Sequence, residues 1–213
     1  MTFDEEVNVY TQTIQDMKAA FERKDWAYLR EHDHYEDDFT EQYMEEMRKC
    51  NCVWDIGAGF GFYSLLALDA KVRDIVAVEA CRARYSALTK TFGAQISLYL
   101  LAAHDKAEML QLSSPAIGSS SRVTLQEGDP VLGLPLDRVF FSSPQVIKMD
   151  IEGAECFALR GIKHTLLVCH PVIFLECHGK MIRALGHTVD SVISFLCSVG
   201  YKITAPKVRM VLR

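Results

Sequence analysis

The sequence predicts an α/β fold in which a mostly parallel, seven-stranded sheet is covered by helices on both faces. Three observations carry that prediction. Short runs of β-branched and large apolar residues recur at 53–56, 74–80, 96–103, 145–151 and 171–177, with helical apolar spacing between most of them. That alternation yields parallel strands joined by crossover helices. The first run ends in an acid and a string of glycines, and the fourth ends in a cluster of charged residues. Closing strands at 201–205 and 208–212 bring the count to seven.

The 213 residues suffice for one such domain and suggest no second. Residues 1–48 read as a helical extension and 49–213 as the core. A formal net charge of -5 disfavours a nucleic-acid partner, because phosphate binding needs concentrated Lys and Arg. The seven cysteines are odd in number and scattered through predicted core elements, which suits a reducing compartment. The first residues lack the basic and apolar regions of a secretory signal, and no apolar run reaches membrane-spanning length. A cytoplasmic protein without a membrane partner is expected.

In the extension, Val7, Tyr10, Ile14, Met17, Phe21 and Leu29 fall at mostly helical intervals and predict one or two amphipathic helices, either a lid or a packing appendage. The run at 30–38, with His32, His34 and Tyr35, reads as a solvated loop, since its spacing matches no zinc site. Thr40 is placed to cap a helix carrying Tyr43, Met44 and Met47.

The core opens with VWDIGAGFGFYS at 53–64. Val53, Trp54 and Ile56 suit a buried strand, and Phe62, Tyr63, Leu65, Leu66 and Leu68 resume at helical spacing, so the glycines form a strand-to-helix loop. Bare backbone at Gly57, Ala58, Gly59 and Gly61 lets a ligand approach the helix N-terminus. A dinucleotide fingerprint would need glycine where Phe62 stands, which disfavours a nicotinamide dehydrogenase. The strand at 74–80 ends in Glu79, where a nucleotide-binding βαβ unit places an acid for ribose hydroxyls. Arg82, Arg84 and Lys90 then fall on what reads as a solvated helix face.

After the run at 96–103, Ala103 leaves room for a ring and Asp105 is placed to accept from an adenine amino group. Residues 108–112 and 121–126 flank the turn-rich SSPAIGSSS and predict a small inserted β-hairpin. In QVIKMDI, Lys148 and Asp150 share one face of an otherwise apolar strand. Charges there are expensive unless they pair or do chemistry, and they sit at the C-terminal end where open α/β sheets bind ligands. A helix over 154–167, the strand at 171–177 ending at Glu176 and His178, and a helix over 189–199 stopped by Gly200 complete the reading. Cys169-His170 and Cys177-His178 match no standard zinc spacing and are expected to be structural.

An acid two residues before a G-x-G-x-G loop resembles the first motif of Rossmann-like, S-adenosylmethionine-binding methyltransferases. More specifically, DIGAGFGFYS at 55–64, VEA at 78–80, GSSS at 118–121, LD at 136–137 and above all IKMDIEGAE at 147–155 resemble the FkbM methyltransferase family. Two positions depart from its pattern, Gly59 where Asn is usual and Ala80 where Pro is usual. The resemblance implies a Rossmann-like methyltransferase domain, with S-adenosylmethionine on Asp55, Gly57, Gly59, Gly61 and Glu79. It also implies methyl transfer to a hydroxyl of a small metabolite or sugar, with Asp150, Glu152 and Glu155 facing the methyl group or the substrate, so that Asp150 is a cofactor contact as well.

A hydroxyl acceptor calls for a positioned base. Asp150 is the first candidate and His178 the second, with Lys148 and Glu152 modulating the pair. A divalent metal on the same carboxylates is conceivable without support from spacing, so no metal site is assigned. The alternative from another class is a non-catalytic, cofactor-binding regulatory protein with the same fold.

Overall fold

The computed structural model describes residues 2–32, 37–113, 121–203 and 209–213. Two helices, α1 (Phe3–Glu22) and α2 (Trp26–Glu31), form most of the extension. Helix α1 starts in a capping box, with Thr2 and Glu5 satisfying each other's backbone N–H groups. Its buried stripe of Val7, Tyr10, Ile14, Met17 and Ala20 follows the helical period. The expected loop at 30–38 is shorter than predicted: its first residues belong to α2 and its last to α3 (Asp37–Met47), while 33–36, with His34 and Tyr35, lie outside the described residues. Thr40 does not cap that helix but is buried inside it.

The core then alternates β1 (Cys52–Ile56), α4 (Phe62–Asp69), β2 (Asp74–Glu79), α5 (Arg82–Phe92) and β3 (Ser97–Leu100). Four short strands follow, β4 (Ala102–Ala103), β5 (Glu108–Ser113), β6 (Arg122–Thr124) and β7 (Asp129–Leu134), before β8 (Val146–Met149). The chain closes with α6 (Glu155–Gly161), α7 (Lys163–Cys169), β9 (Val172–Glu176), α8 (Gly179–Ala184), α9 (Val189–Ser198) and β10 (Arg209–Leu212).

Among the described residues the main sheet has six strands in the order β10-β9-β8-β1-β2-β3 and is mixed, because β10 runs antiparallel to β9. This corrects the expectation of a mostly parallel seven-stranded sheet. Residues 201–203 are not a strand; Tyr201 is buried and donates its hydroxyl to the Pro171 carbonyl. Residues 204–208 lie outside the description.

The predicted hairpin is larger than expected. Strands β5 and β6 pair antiparallel as foreseen, but with β7 and β4 they make a second, four-stranded sheet. The run at 96–103 divides between the sheets: β3 ends level with Glu79, where β2 also ends, and Ala102 and Ala103 then take Gly133 and Leu134 as parallel partners. The tip of the hairpin, including residues 114–120 and most of GSSS, is outside the described residues.

The helix expected over 154–167 is two helices meeting at Ile162, and residues 179–184 form a further helix. Asp137, from the LD pair, caps α7 with both oxygens, accepting from the His164 and Thr165 N–H groups and the Thr165 hydroxyl.

Burial alternates along the central strands. Trp54, Ile56, Ile147, Met149, Ile173 and Leu175 pack with α6, α7 and α9 on one face, while Val53, Val146 and Phe174 pack with α1, α3 and α4 on the other. Asp55 and Lys148 are register partners on neighbouring strands, so they share the second face.

Candidate active site

A cleft of about 500 Å³ opens at the C-terminal ends of β1, β2, β8 and β9. At one end the backbone leaves β1 through Gly57 and Ala58, whose N–H groups both donate to the Val78 carbonyl at 2.8 and 3.0 Å. Gly57, Gly59 and Gly61 all have left-handed backbone. Their surroundings differ. A Cβ on Gly57 would overlap the Asp150 carbonyl, and one on Gly61 would press into Leu88 and Phe92. A Cβ on Gly59 would meet nothing nearer than the Gly57 carbonyl at 4.0 Å. Gly59 is thus the glycine that presents bare backbone to the cleft, a cradle that a side chain would fill.

Glu79 is buried beside it. One carboxylate oxygen accepts from the Gly59 N–H at 2.8 Å and the other from the Cys81 N–H at 2.7 Å. Burial raises its pKa, while the Arg84 guanidinium and those two bonds oppose the rise. Ala102 and Ala103 line the cleft beyond Glu79.

Lys148, at the other end, is 2% exposed. Its Nζ lies 3.6 Å from Asp150 Oδ2, 4.7 Å from the Tyr63 ring centroid and 5.7 Å from that of Phe39. A buried ammonium is tolerated where carboxylate and aromatic faces replace water.

His178, at the end of β9, gathers four carboxylates. Its Nδ1 is 3.3 Å from Glu155 Oε1 and 3.8 Å from Asp150 Oδ1; its Nε2 is 3.4 Å from Glu152 Oε2 and 3.7 Å from Glu176 Oε1. Burial works against charge on this imidazole. The hydrogen bond to Glu155 and the charges of Glu152 and Asp150 outweigh it and raise the pKa to about 9. Glu176 also accepts from Arg209 Nε at 3.2 Å.

Of the residues expected in the site, Gly57, Ala58, Gly59, Glu79, Ala103, Lys148, Asp150, Glu152 and His178 line this one cleft. Three expected cofactor contacts stand off it. Asp55 lies beneath the loop, buried, and accepts from the Ser64 hydroxyl at 2.6 Å. Its pKa is raised by burial, against the Ser64 bond and the Lys148 charge. Gly61 is the N-cap of α4. Asp105 turns instead to His104 Nδ1, at 3.2 Å, and Arg160, at 3.9 Å, because the chain has by then entered the second sheet.

Arg84 was expected in solvent but is 7% exposed, lines the cleft and lies over the Tyr10 and Phe60 rings. Its position was readable, since it stands one helical turn before Leu88 on the buried stripe of α5. Phe60, Tyr63, Arg122 and Arg209 also line the cleft without having been singled out as site residues. Of the two cysteine-histidine pairs, burial pushes the Cys177 thiol up to about 12 and His170 stacks on Tyr201, while His178 lines the cleft.

Residues 55–203 match the family described as the Methyltransferase FkbM domain. The fold is similar to the crystal structure of Methyltransferase FkbM from Methylobacillus flagellatus KT, with a TM-score of 0.53 and 18% identity over 76% of this chain. The chain spans 42% of that protein's length. A precorrin-6y C5,15-methyltransferase from Geobacter metallireducens GS-15 aligns over 80% of this chain and 79% of its own, at 16% identity and a TM-score of 0.45. No curated protein matches the chain in sequence. With the family match covering the glycine loop, Glu79 and the IKMDIEGAE strand end alike, the chain belongs to the FkbM methyltransferase family.

Proposed function

We propose that the protein transfers a methyl group from S-adenosylmethionine to a hydroxyl oxygen of a small polar molecule. The observation that carries this reading is the continuity of the cleft, which runs from the glycine loop and Glu79 to Asp150 and His178 without a wall between them. A donor at the glycine loop and an acceptor at the strand end would lie end to end along it.

S-adenosylmethionine, when bound, supplies an electrophilic methyl group on a sulfonium. The open face at Gly59 receives it against bare backbone. Glu79 keeps acceptor capacity for ribose hydroxyls after its two backbone bonds, since a carboxylate has about four lone-pair sites. Ala102 and Ala103 leave width for a flat ring.

At the acceptor end Asp150 takes the hydroxyl proton during attack. Lys148 holds one oxygen of that carboxylate and fixes its direction, and the Tyr63 and Phe39 rings hold Lys148. With a pKa of about 9, His178 carries a proton at neutral pH. It therefore serves as a hydrogen-bond donor that gathers Asp150, Glu152 and Glu155 rather than as the base. Holding acceptor oxygen and methyl carbon in line is the larger part of catalysis for so reactive a donor.

Calorimetry with S-adenosylhomocysteine tests the cofactor half: binding is expected, and it should be abolished by Gly59→Val. Labelled methyl transfer into a fractionated extract of hydroxylated metabolites tests the reaction. Transfer that is lost in Asp150→Asn supports the assignment. Binding without transfer to any acceptor would favour a regulatory, cofactor-sensing protein, and absence of binding would sink both readings.

A further inference from the structure

We propose that Asp150, Glu152 and His178 form a binding site for one divalent cation of the Mg²⁺ and Mn²⁺ class, with Glu155 orienting the imidazole from behind. Binding of the ion does not depend on the functional reading above. Its use in catalysis does.

The three residues leave the ends of adjacent parallel strands, β8 and β9, and offer one ligand atom each, all within 4.8 Å of one another. An ion with bonds of about 2.1 Å holds adjacent ligands about 3 Å apart and opposite ones about 4.2 Å apart, so side-chain shifts on the order of 1–2 Å close the site. Waters and an acceptor hydroxyl would complete the coordination, as is usual for Mg²⁺.

An unpartnered oxygen on one of the three ligands points independently to a missing cation. Asp150 Oδ1 is buried and accepts no hydrogen bond among the described residues. Glu155 is 0% exposed; its Oε1 faces His178 Nδ1 and accepts from the Gly153 N–H, while its Oε2 accepts no hydrogen bond either. Buried carboxylate oxygens are rarely left in that state. The neighbouring cations leave Asp150 Oδ1 without a hydrogen bond: Lys148 approaches the other oxygen of Asp150, Arg209 lies on Glu176, and His178 Nδ1 stands 3.8 Å away.

Glu155 also settles which nitrogen is used. Binding of the ion would displace the Nε2 proton of the metal-free imidazolium, and the proton kept on Nδ1, donated to Glu155, leaves Nε2 as the ligand atom, on the side of Glu152 Oε2. A carboxylate behind a ligating imidazole is the usual arrangement in metal sites, where it fixes tautomer and ring direction. Two carboxylates and one imidazole without thiolate favour Mn²⁺ or Mg²⁺ over soft metals. At the acceptor end of the cleft the ion would make a bound hydroxyl more acidic, and Asp150 Oδ2, on the Lys148 side, stays available for its proton.

The test uses the whole chain, stripped with a chelator and titrated with Mn²⁺ alone while electron paramagnetic resonance reads free ion. One saturable ion per chain is expected. Glu155→Gln should weaken it by about 10–100-fold, and Glu152→Gln at least as much, with far-ultraviolet circular dichroism unchanged in the metal-free state. Absence of saturable binding in the unaltered chain would overturn the proposal. So would binding that is equal in folded Glu152→Gln and Glu155→Gln proteins, which would mark an adventitious surface ion. Neither outcome touches the cofactor assignment, because the titration contains no S-adenosyl compound; S-adenosylhomocysteine calorimetry on the same stripped protein reports that half separately.

Discussion

Gly57 lies flat against the main chain of Asp150. The Asp150 N–H donates to the Ile56 carbonyl at 3.0 Å, and the Asp150 carbonyl stands where a Gly57 side chain would be. The cofactor loop and the acidic strand end are thus packed as one piece, backbone on backbone, and any residue with a Cβ at 57 must push them apart.

The glycines of the loop should therefore separate in their effects. Gly57→Ala combines a left-handed backbone with an overlap against main chain, and should lower unfolding free energy by roughly 2–5 kcal/mol. Gly59→Ala meets open space and should cost about 1 kcal/mol, yet reduce affinity for S-adenosylhomocysteine at least tenfold (~1.4 kcal/mol). Urea unfolding and calorimetry on both proteins check the split.

Lys148→Met should be costly for two reasons. It removes the cation that faces Asp55 and Asp150 and leaves the buried Asp55 carboxylate without its compensating charge. A loss of about 3 kcal/mol is expected. Lys148→Arg should not restore activity, because the space beneath Tyr63 and Phe39 holds a point charge and not a planar fork.

The His178 proton gives stability a definite pH dependence in chelator-treated protein. Its folded pKa of about 9 lies above the unfolded value of about 6.5. The contribution is therefore whole below about pH 6.5 and lost as pH rises through about 9. The stability gap between the unaltered chain and His178→Gln should be larger at about pH 6 than at about pH 10, measured by urea unfolding. A gap that widens with pH would refute the assignment of charge.

Asp137 offers a control away from the cleft. Removing it frees the His164 and Thr165 N–H groups at the start of α7, so Asp137→Ala should cost about 1–2 kcal/mol. S-adenosylhomocysteine affinity should be unchanged.

The order strand, glycine loop, helix, strand and terminal acid was legible because each member has a local cause: β-branched runs, left-handed glycines and an acid at a strand end. What a strand pairs with is not local. Nothing in RMVL at 209–212 says that it returns antiparallel to β9, and nothing in ISLYLLAA says that the chain changes sheet at Leu101. Asp105 failed for that reason, since its assignment assumed that β3 and the loop after it stay with the main sheet. Arg84 failed differently: its charge was weighed and its helical phase was not, although that phase set it beside Leu88 on the buried stripe.

Phe39 carries a last consequence. It belongs to α3, before the family-matched segment at 55–203, yet its ring faces Lys148 and packs edge-on against Tyr63 and Phe174. Tyr43, one turn on, adds a second ring against the same two residues. The stretch that sequence comparison recognises as the domain is therefore not the unit that can work alone. A fragment trimmed to residues 55–203 would lose β1 up to Asp55 and open the aromatic roof to water, hydrating the ammonium that this fold keeps dry. The inheritable element is the domain together with a helix that lies outside the matched segment.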